Sequence, residues 1–177
     1  MTVPPRIEPL FAADQVAARV ADLGSMIEHD LGKDDPVVVS LLGGSVFFLT
    51  DLLRAIKTPL RFEFIQVGYT TPDDSGPREI HFPIPLDVAG QNLLVLKDIV
   101  ATGVIDVYLE QQLRQHGART VRFAALLDVP SERRASFAVD YSAFIVERHG
   151  TFVGYGLKYH GRHGNLPYVG RVIERES

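Results

Sequence analysis

The chain has no cysteine. That absence excludes disulfides, thiolate nucleophiles and cysteine-built zinc sites, and it accords with a reducing compartment. Also missing is any apolar run near the ~18 residues a membrane span needs. The start, MTVPPRIEPLF, has no charged segment followed by a long apolar one. A soluble cytoplasmic protein is therefore expected. No Pro/Gly/Ser linker, composition shift or internal repeat divides the 177 residues, so a single domain over 1–177 is expected. Nor is there an excess of positive charge. Eighteen Lys and Arg against 22 Asp and Glu leave a net charge of -4, which argues against broad nucleic-acid binding.

What is present alternates. Val16, Val20, Leu23 and Ile27 recur at three- and four-residue steps, so residues 14–30 read as an amphipathic helix ended by Gly32. VVVSLL at 37–42 is a buried-strand pattern, followed by Gly43-Gly44-Ser45 and an apolar helix from 46 to about 56. Residues 60–67 alternate as a strand does. Residues 69–89 hold Pro72, Pro77, Pro83 and Pro85 with little periodicity, and so long an irregular segment inside a domain predicts a functional flap or hairpin. Further strands are expected at 120–127, 143–146 and 152–157. The alternation predicts an α/β fold, a parallel sheet with helices on both faces.

The most informative stretch is NLLVLKDIVATGV, residues 92–104. Leu93 to Leu96 is a continuous apolar run, as in a strand buried on both faces. Asp98 follows, then Ala101-Thr102-Gly103, then apolar residues at helical spacing from Val104 to Leu113. A strand that stops at a small-residue turn and restarts as a helix aims backbone N–H groups and the positive end of the helix dipole at whatever lies above the sheet, a phosphate seat.

This stretch resembles the phosphoribosyl-pyrophosphate loop of type I phosphoribosyltransferases. From about residue 9 to 172 the chain is similar to hypoxanthine-guanine phosphoribosyltransferases. The markers are LLGGSVFFLTDLLRAI at 41–56, KDIVATG at 97–103, LLDVPSERR at 126–134, VDYSAF at 139–144 and FVGYGLKYHGRHGNLPYVG at 152–170. The resemblance implies the type I phosphoribosyltransferase fold, with a small hood or flap at about 69–89, and a dimer or tetramer. It also implies the purine-salvage reaction, in which phosphoribosyl passes from phosphoribosyl pyrophosphate (PRPP) to N9 of a 6-oxopurine with magnesium.

The resemblance also shows what has changed. Gly43, with Gly44 and Ser45, stands in the pyrophosphate loop where the family carries a lysine. Lys97-Asp98 stands at the acidic pair near the metal, leaving Asp98 as its remnant. Ala101 stands at the carboxylate that accepts the proton, so no catalytic residue is assigned. Thr102 and Gly103 survive in the 5'-phosphate loop, but its closing threonine is Ile105. Val129 replaces the lysine that reads the purine 6-oxo group. Thr151 takes the place of the base-stacking aromatic, with Phe152 and Val153 beside it, and Phe152 reads either as core or as a displaced platform. Lys158 replaces an aspartate that reaches magnesium, Gly164 an arginine that meets pyrophosphate, and Gly68-Tyr69 the Ser-Tyr pair at the flap hinge.

Losing a general acid-base group typically costs ~10²–10⁴-fold in rate, and an electrostatic contact ~10²–10³-fold. The expectation is a homologue with weak or absent transferase activity that needs no metal cofactor. It would bind a phosphorylated small molecule or purine nucleotide through Thr102, Gly103, Lys97 and Lys158. Lys97 would meet phosphate, pair with Asp98 or stay a solvated surface charge, and Lys158 would meet phosphate or be solvated. Two other readings stand beside it: a non-catalytic oligomeric scaffold or regulator, and a competent enzyme in which Asp98 or Asp106 acts for Ala101. His160 and His163 read as loop residues rather than metal ligands. Glu132, Arg133 and Arg134 read as a solvated charged turn, and Tyr155 and Tyr159 as packing residues with polar tips.

Overall fold

The structure of the chain, a computed structural model, describes residues 5–41, 43–69, 78–81 and 87–173. The elements in order are β1 (Arg6–Phe11), α1 (Ala13–Leu31), β2 (Val37–Leu41), α2 (Val46–Ala55), β3 (Arg61–Tyr69) and β4 (Arg78–His81). There follow β5 (Asn92–Val100), α3 (Val104–Gln115), β6 (Thr120–Asp128), β7 (Tyr141–Ile145), β8 (Phe152–Val153) and β9 (Val169–Ile173). A single 3₁₀ turn, Pro130–Glu132, follows β6.

The main sheet runs β4-β3-β2-β5-β6-β7. Its strands β3, β2, β5, β6 and β7 are parallel, and β4 joins the edge antiparallel to β3. The predicted α/β architecture is therefore observed. Strand β5 shows why its sequence is continuously apolar. Leu93 and Val95 face the cluster that holds Leu109 and Leu113 of α3, whereas Leu94 and Leu96 face the cluster built on α1 and α2. The predicted stripe Val16, Val20, Leu23 and Ile27 of α1 is buried. Gly24 lets α1 approach α2 closely, since a Cβ there would stand 2.7 Å from the Ala55 Cβ.

A second, antiparallel sheet has the order β1-β9-β8 and joins the two ends of the described chain. Neither β1 nor β9 is signalled in the sequence. β1 carries Pro9, which suits only an edge or irregular strand, and its register with β9 shifts between Pro9 and Phe11. The strand expected at 152–157 is corrected to Phe152–Val153, because Gly154, Tyr155 and Gly156 all take positive φ, 88°, 49° and 97°, and turn the chain. The strand expected to stop at 67 runs through Gly68 and Tyr69, which pair with Glu79 and Arg78 as one side of a hairpin. Residues 70–77 and 82–86 of the expected flap, and Leu42, lie outside the described residues.

The topology places a crevice. Strand β2 pairs with β3 on one side and β5 on the other, so the chain leaves β2 through α2 towards β3 and leaves β5 through α3 towards β6. Loops that depart in opposite directions from neighbouring parallel strands open a cleft at their carboxyl ends. Here those loops are residues 43–45 and 101–103.

Candidate functional site

The turn after β5 is held from one side. Ala101 carbonyl oxygen accepts from Arg133 Nη1 at 2.6 Å, and Thr102 carbonyl oxygen accepts from the N–H groups of Arg134 and Ala135 at 2.9 and 3.0 Å. Because a trans peptide is planar, with its C=O and N–H opposed, both planes must send their N–H groups the other way. These are the N–H groups of Thr102 and Gly103, and neither meets an acceptor among the described residues. Gly103 caps α3 at φ 75°, where a side chain would be strained and would strike Arg133 and Phe137. The turn thus presents two N–H groups beside the N-terminus of a twelve-residue helix, a geometry suited to an anion.

Arg133 is not the solvated residue that its charged run suggests. Its guanidinium also pairs with Asp128 at the end of β6, and its face lies 5.9 Å from the ring of Phe137. Phe137 in turn meets core Phe123 edge-on at 4.8 Å. Arg134, by contrast, is exposed, and Glu132 pairs with His149.

Lys97 is likewise placed differently from all three expectations. It is buried, with Nζ 3.1 Å from Oδ1 of Asp106, which is buried in the first turn of α3. Asp98 is not its partner. The contact lies outside good hydrogen-bond geometry, so charge attraction rather than a directed bond joins the pair. Asp98 Oδ1 accepts from its neighbour, the Ile99 N–H. Asp98 Oδ2 lies so close to Gly44 that a Cβ there would be 2.3 Å away. Asp106, tied to Lys97 and buried, is not presented to the cleft as a substitute for Ala101.

In the turn after β2, Gly43 takes φ 152° and is exposed. Ser45 turns inward: its hydroxyl contacts Ser40 Oγ at 3.0 Å and donates to the Leu41 carbonyl oxygen. The C-terminal loop packs onto this turn. A Cβ on Gly156 would fall 2.2 Å from Gly44 carbonyl oxygen, and Tyr155 donates its hydroxyl to Asp51 of α2 at 2.6 Å. Burial, reinforced by Asp51, pushes the Tyr155 phenol well above its ordinary range. Lys158 is exposed on this loop, lies against Gly164, and has no anionic partner among the described residues.

The base-site positions are mostly withdrawn into the core. Val129 and Val153 are fully buried and Phe152 is 5% exposed inside the larger hydrophobic cluster, so the Phe152 ring packs as core. Thr151 is exposed. His160 and Gly161 are the two central residues of a tight turn closed by paired Tyr159–Arg162 backbone bonds, and the His160 ring lies against Tyr159. Among the described residues no three His, Asp or Glu side chains group as a metal site, and no helix is long and apolar enough to cross a membrane. Sequence reasoning missed the enclosure of Arg133 by Asp128 and Phe137. Asp128 closes β6 and the other two follow it, and Phe137 as an isolated aromatic in a polar segment was the available signal.

Comparison with known proteins agrees with this architecture. Residues 7–160 match the phosphoribosyl transferase domain family. The chain is 32% identical over 174 residues to the hypoxanthine-guanine phosphoribosyltransferase of Mycobacterium tuberculosis, covering 94% of this chain and 86% of that protein. It is 32% identical to the protein of the same name from Bacillus subtilis, covering 91% and 90%. A crystal structure of a hypoxanthine-guanine phosphoribosyltransferase from Bacillus anthracis superposes with a TM-score of 0.87 at 27% identity, over 96% of this chain and all of that one. The match to the family model over residues 7–160, the identity to relatives along nearly the whole length and the shared parallel-sheet fold make this chain a member of the phosphoribosyl transferase domain family, on its hypoxanthine-guanine branch.

Proposed function

We propose that this protein binds a phosphorylated ligand, a purine nucleotide or PRPP being the chemistry its relatives suggest, at the turn 101–103, and that its phosphoribosyl transfer is weak or absent. The observation that carries the binding is the pair of aligned N–H groups at Thr102 and Gly103. Lys158 is exposed and has no anionic partner among the described residues, and on this reading it is the side chain left to add positive charge for the ligand. Lys97 is removed from the set of anion contacts, because its charge is already met by Asp106.

The case for weak transfer rests on Ala101, which can neither accept a proton nor hydrogen bond through its side chain, and on Val129, which presents no polar group to a base. The residues present do not fit a divalent cation either. At the end of β5 the acid position is an ion-paired lysine, Asp98 stands alone, and Lys158 adds a second cation. Lysine at both positions removes carboxylate oxygens that a divalent cation would need, whereas the free Lys158 can meet phosphate directly.

The test is twofold. Formation of nucleotide from hypoxanthine or guanine with PRPP and magnesium is expected to be negligible. Turnover on the order of 1 s⁻¹ or faster would make the protein an ordinary salvage enzyme. A thermal-shift panel of purine nucleotides, PRPP and pyrophosphate should show stabilisation by a phosphorylated compound, equal in excess chelator and in magnesium. A homo-oligomer belongs to the same proposal, and sedimentation as a monomer would remove it.

A further inference from the structure

The turn 101–103 does not hold its shape by local bonding alone. Its two carbonyls point at one segment, residues 133–135, and that segment is itself anchored by the Arg133 side chain. The guanidinium joins three partners that come from different parts of the chain. It donates to the Ala101 carbonyl at the end of β5, pairs with buried Asp128 at the end of β6, and lies against Phe137. Its methylene stem passes so close to Gly103 that a Cβ there would stand 2.9 Å from Arg133 Cδ. A planar fork with five donors is suited to such bridging, and a lysine, with one point of charge, is not.

We infer that Arg133 is a positioning residue for the phosphate turn: by holding the Ala101 carbonyl and the 134–135 backbone against Thr102, it fixes the peptide planes whose N–H groups face the cleft. This role rests on the phosphate reading proposed above, and it assigns work to a residue that touches no ligand. Asp128 acts through Arg133, neutralising its charge and fixing the fork. The positive charge of Arg133 is thereby kept on the far side of the turn from the ligand, so the anion is met by backbone and not by this side chain.

Two readouts test it, in Arg133→Met, which keeps the stem against Gly103 and Phe137, and in Arg133→Lys, which keeps the charge. The first is amide exchange at Arg134 and Ala135, whose N–H groups bond Thr102, compared with amides in the middle of β5. Positioning predicts exchange about tenfold or more faster at 134–135 in both variants with β5 unchanged, since a hydrogen bond made by a charged donor is lost. Exchange unchanged at 134–135, or accelerated equally in β5, overturns the role. The second is calorimetric titration with ribose 5-phosphate, for which affinity is expected to fall about tenfold or more in both variants. Natural affinity in Arg133→Met overturns the role, and recovery in Arg133→Lys shows that charge rather than the fork matters, which also overturns it. If the natural chain does not bind ribose 5-phosphate, the phosphate reading fails, and exchange at 134–135 still decides whether Arg133 holds the turn.

Discussion

Lys97 shows how far one side chain's environment governs what it does. At the end of a strand facing a phosphate-type turn, a lysine suggests an anion contact, yet its charge is met by Asp106 and both groups are buried. A buried pair with poor hydrogen-bond geometry contributes little net stability, because desolvation offsets attraction, while removing one partner leaves an uncompensated charge. Lys97→Met should therefore destabilise the fold by about 3–5 kcal/mol, and the double variant Lys97→Met with Asp106→Leu should return to within about 1 kcal/mol of the natural chain or exceed it. Urea unfolding of the two single variants and the double measures this. Additive losses would show that the pair is not coupled. The same pairing means that Lys97→Glu cannot restore a metal site alone, since it would set two carboxylates together in the interior. Ala101→Asp alone is also expected to leave nucleotide formation negligible, as groups that act as a unit fail as a unit. An assay with hypoxanthine and PRPP checks it, and substantial recovery would mean that the remaining site is competent.

The loop from β8 to β9 is an irregular element held by specific contacts rather than by a ladder. Gly154 takes φ 88°, and a Cβ there would fall 1.9 Å from the Tyr168 carbonyl oxygen, so no side chain fits without moving backbone. Gly154→Ala should lower stability by about 1–3 kcal/mol in chemical unfolding. An unchanged midpoint would mean that the loop deforms freely. Tyr155 ties this loop to α2 through Asp51. Its phenol, raised above the ordinary value of 10.0 first by burial and then by Asp51, must ionise more readily in the unfolded chain than in the folded one. Its contribution is complete below pH 10 and is lost as pH rises beyond it, so stability should decline above about pH 10. Tyr155→Phe should flatten that decline while losing roughly 1 kcal/mol near neutrality. Stability scans from pH 7 to 11 separate the two variants, and identical alkaline slopes would refute the linkage.

Across the whole molecule, binding and stability share one readout. The phosphate turn joins β5 to α3, and β5 lies between the two hydrophobic clusters, so a ligand seated there is coupled to the cooperative unit. A compound that binds only the folded chain at a hundred times its dissociation constant adds about 2.7 kcal/mol, which for a chain of this size raises Tm by roughly 5–10 °C. For a phosphorylated ligand met by N–H groups and Lys158, that shift should shrink as salt rises and should be the same in chelator and in magnesium. A shift that appears only with magnesium would return the metal to the site.

The alternation of apolar runs with periodic stripes was enough to identify the parallel sheet, its helices and the turn at 101–103, because period and turn chemistry are local properties that each segment carries in its own residues. Glycine at 103 and alanine at 101 were legible for the same reason. Pairings between distant segments were not. Strands β1 and β9 are short, irregular or interrupted by Pro9, and they become strands by finding each other across the length of the chain. Lys97 and Asp106 are nine positions apart in a strand and a helix, and Arg133 reaches Asp128, Ala101 and Phe137 from a segment without periodicity. Whether a charged side chain is solvated, paired or used to hold a turn depends on what packs around it, and packing is decided only when the sheet brings its strand ends together.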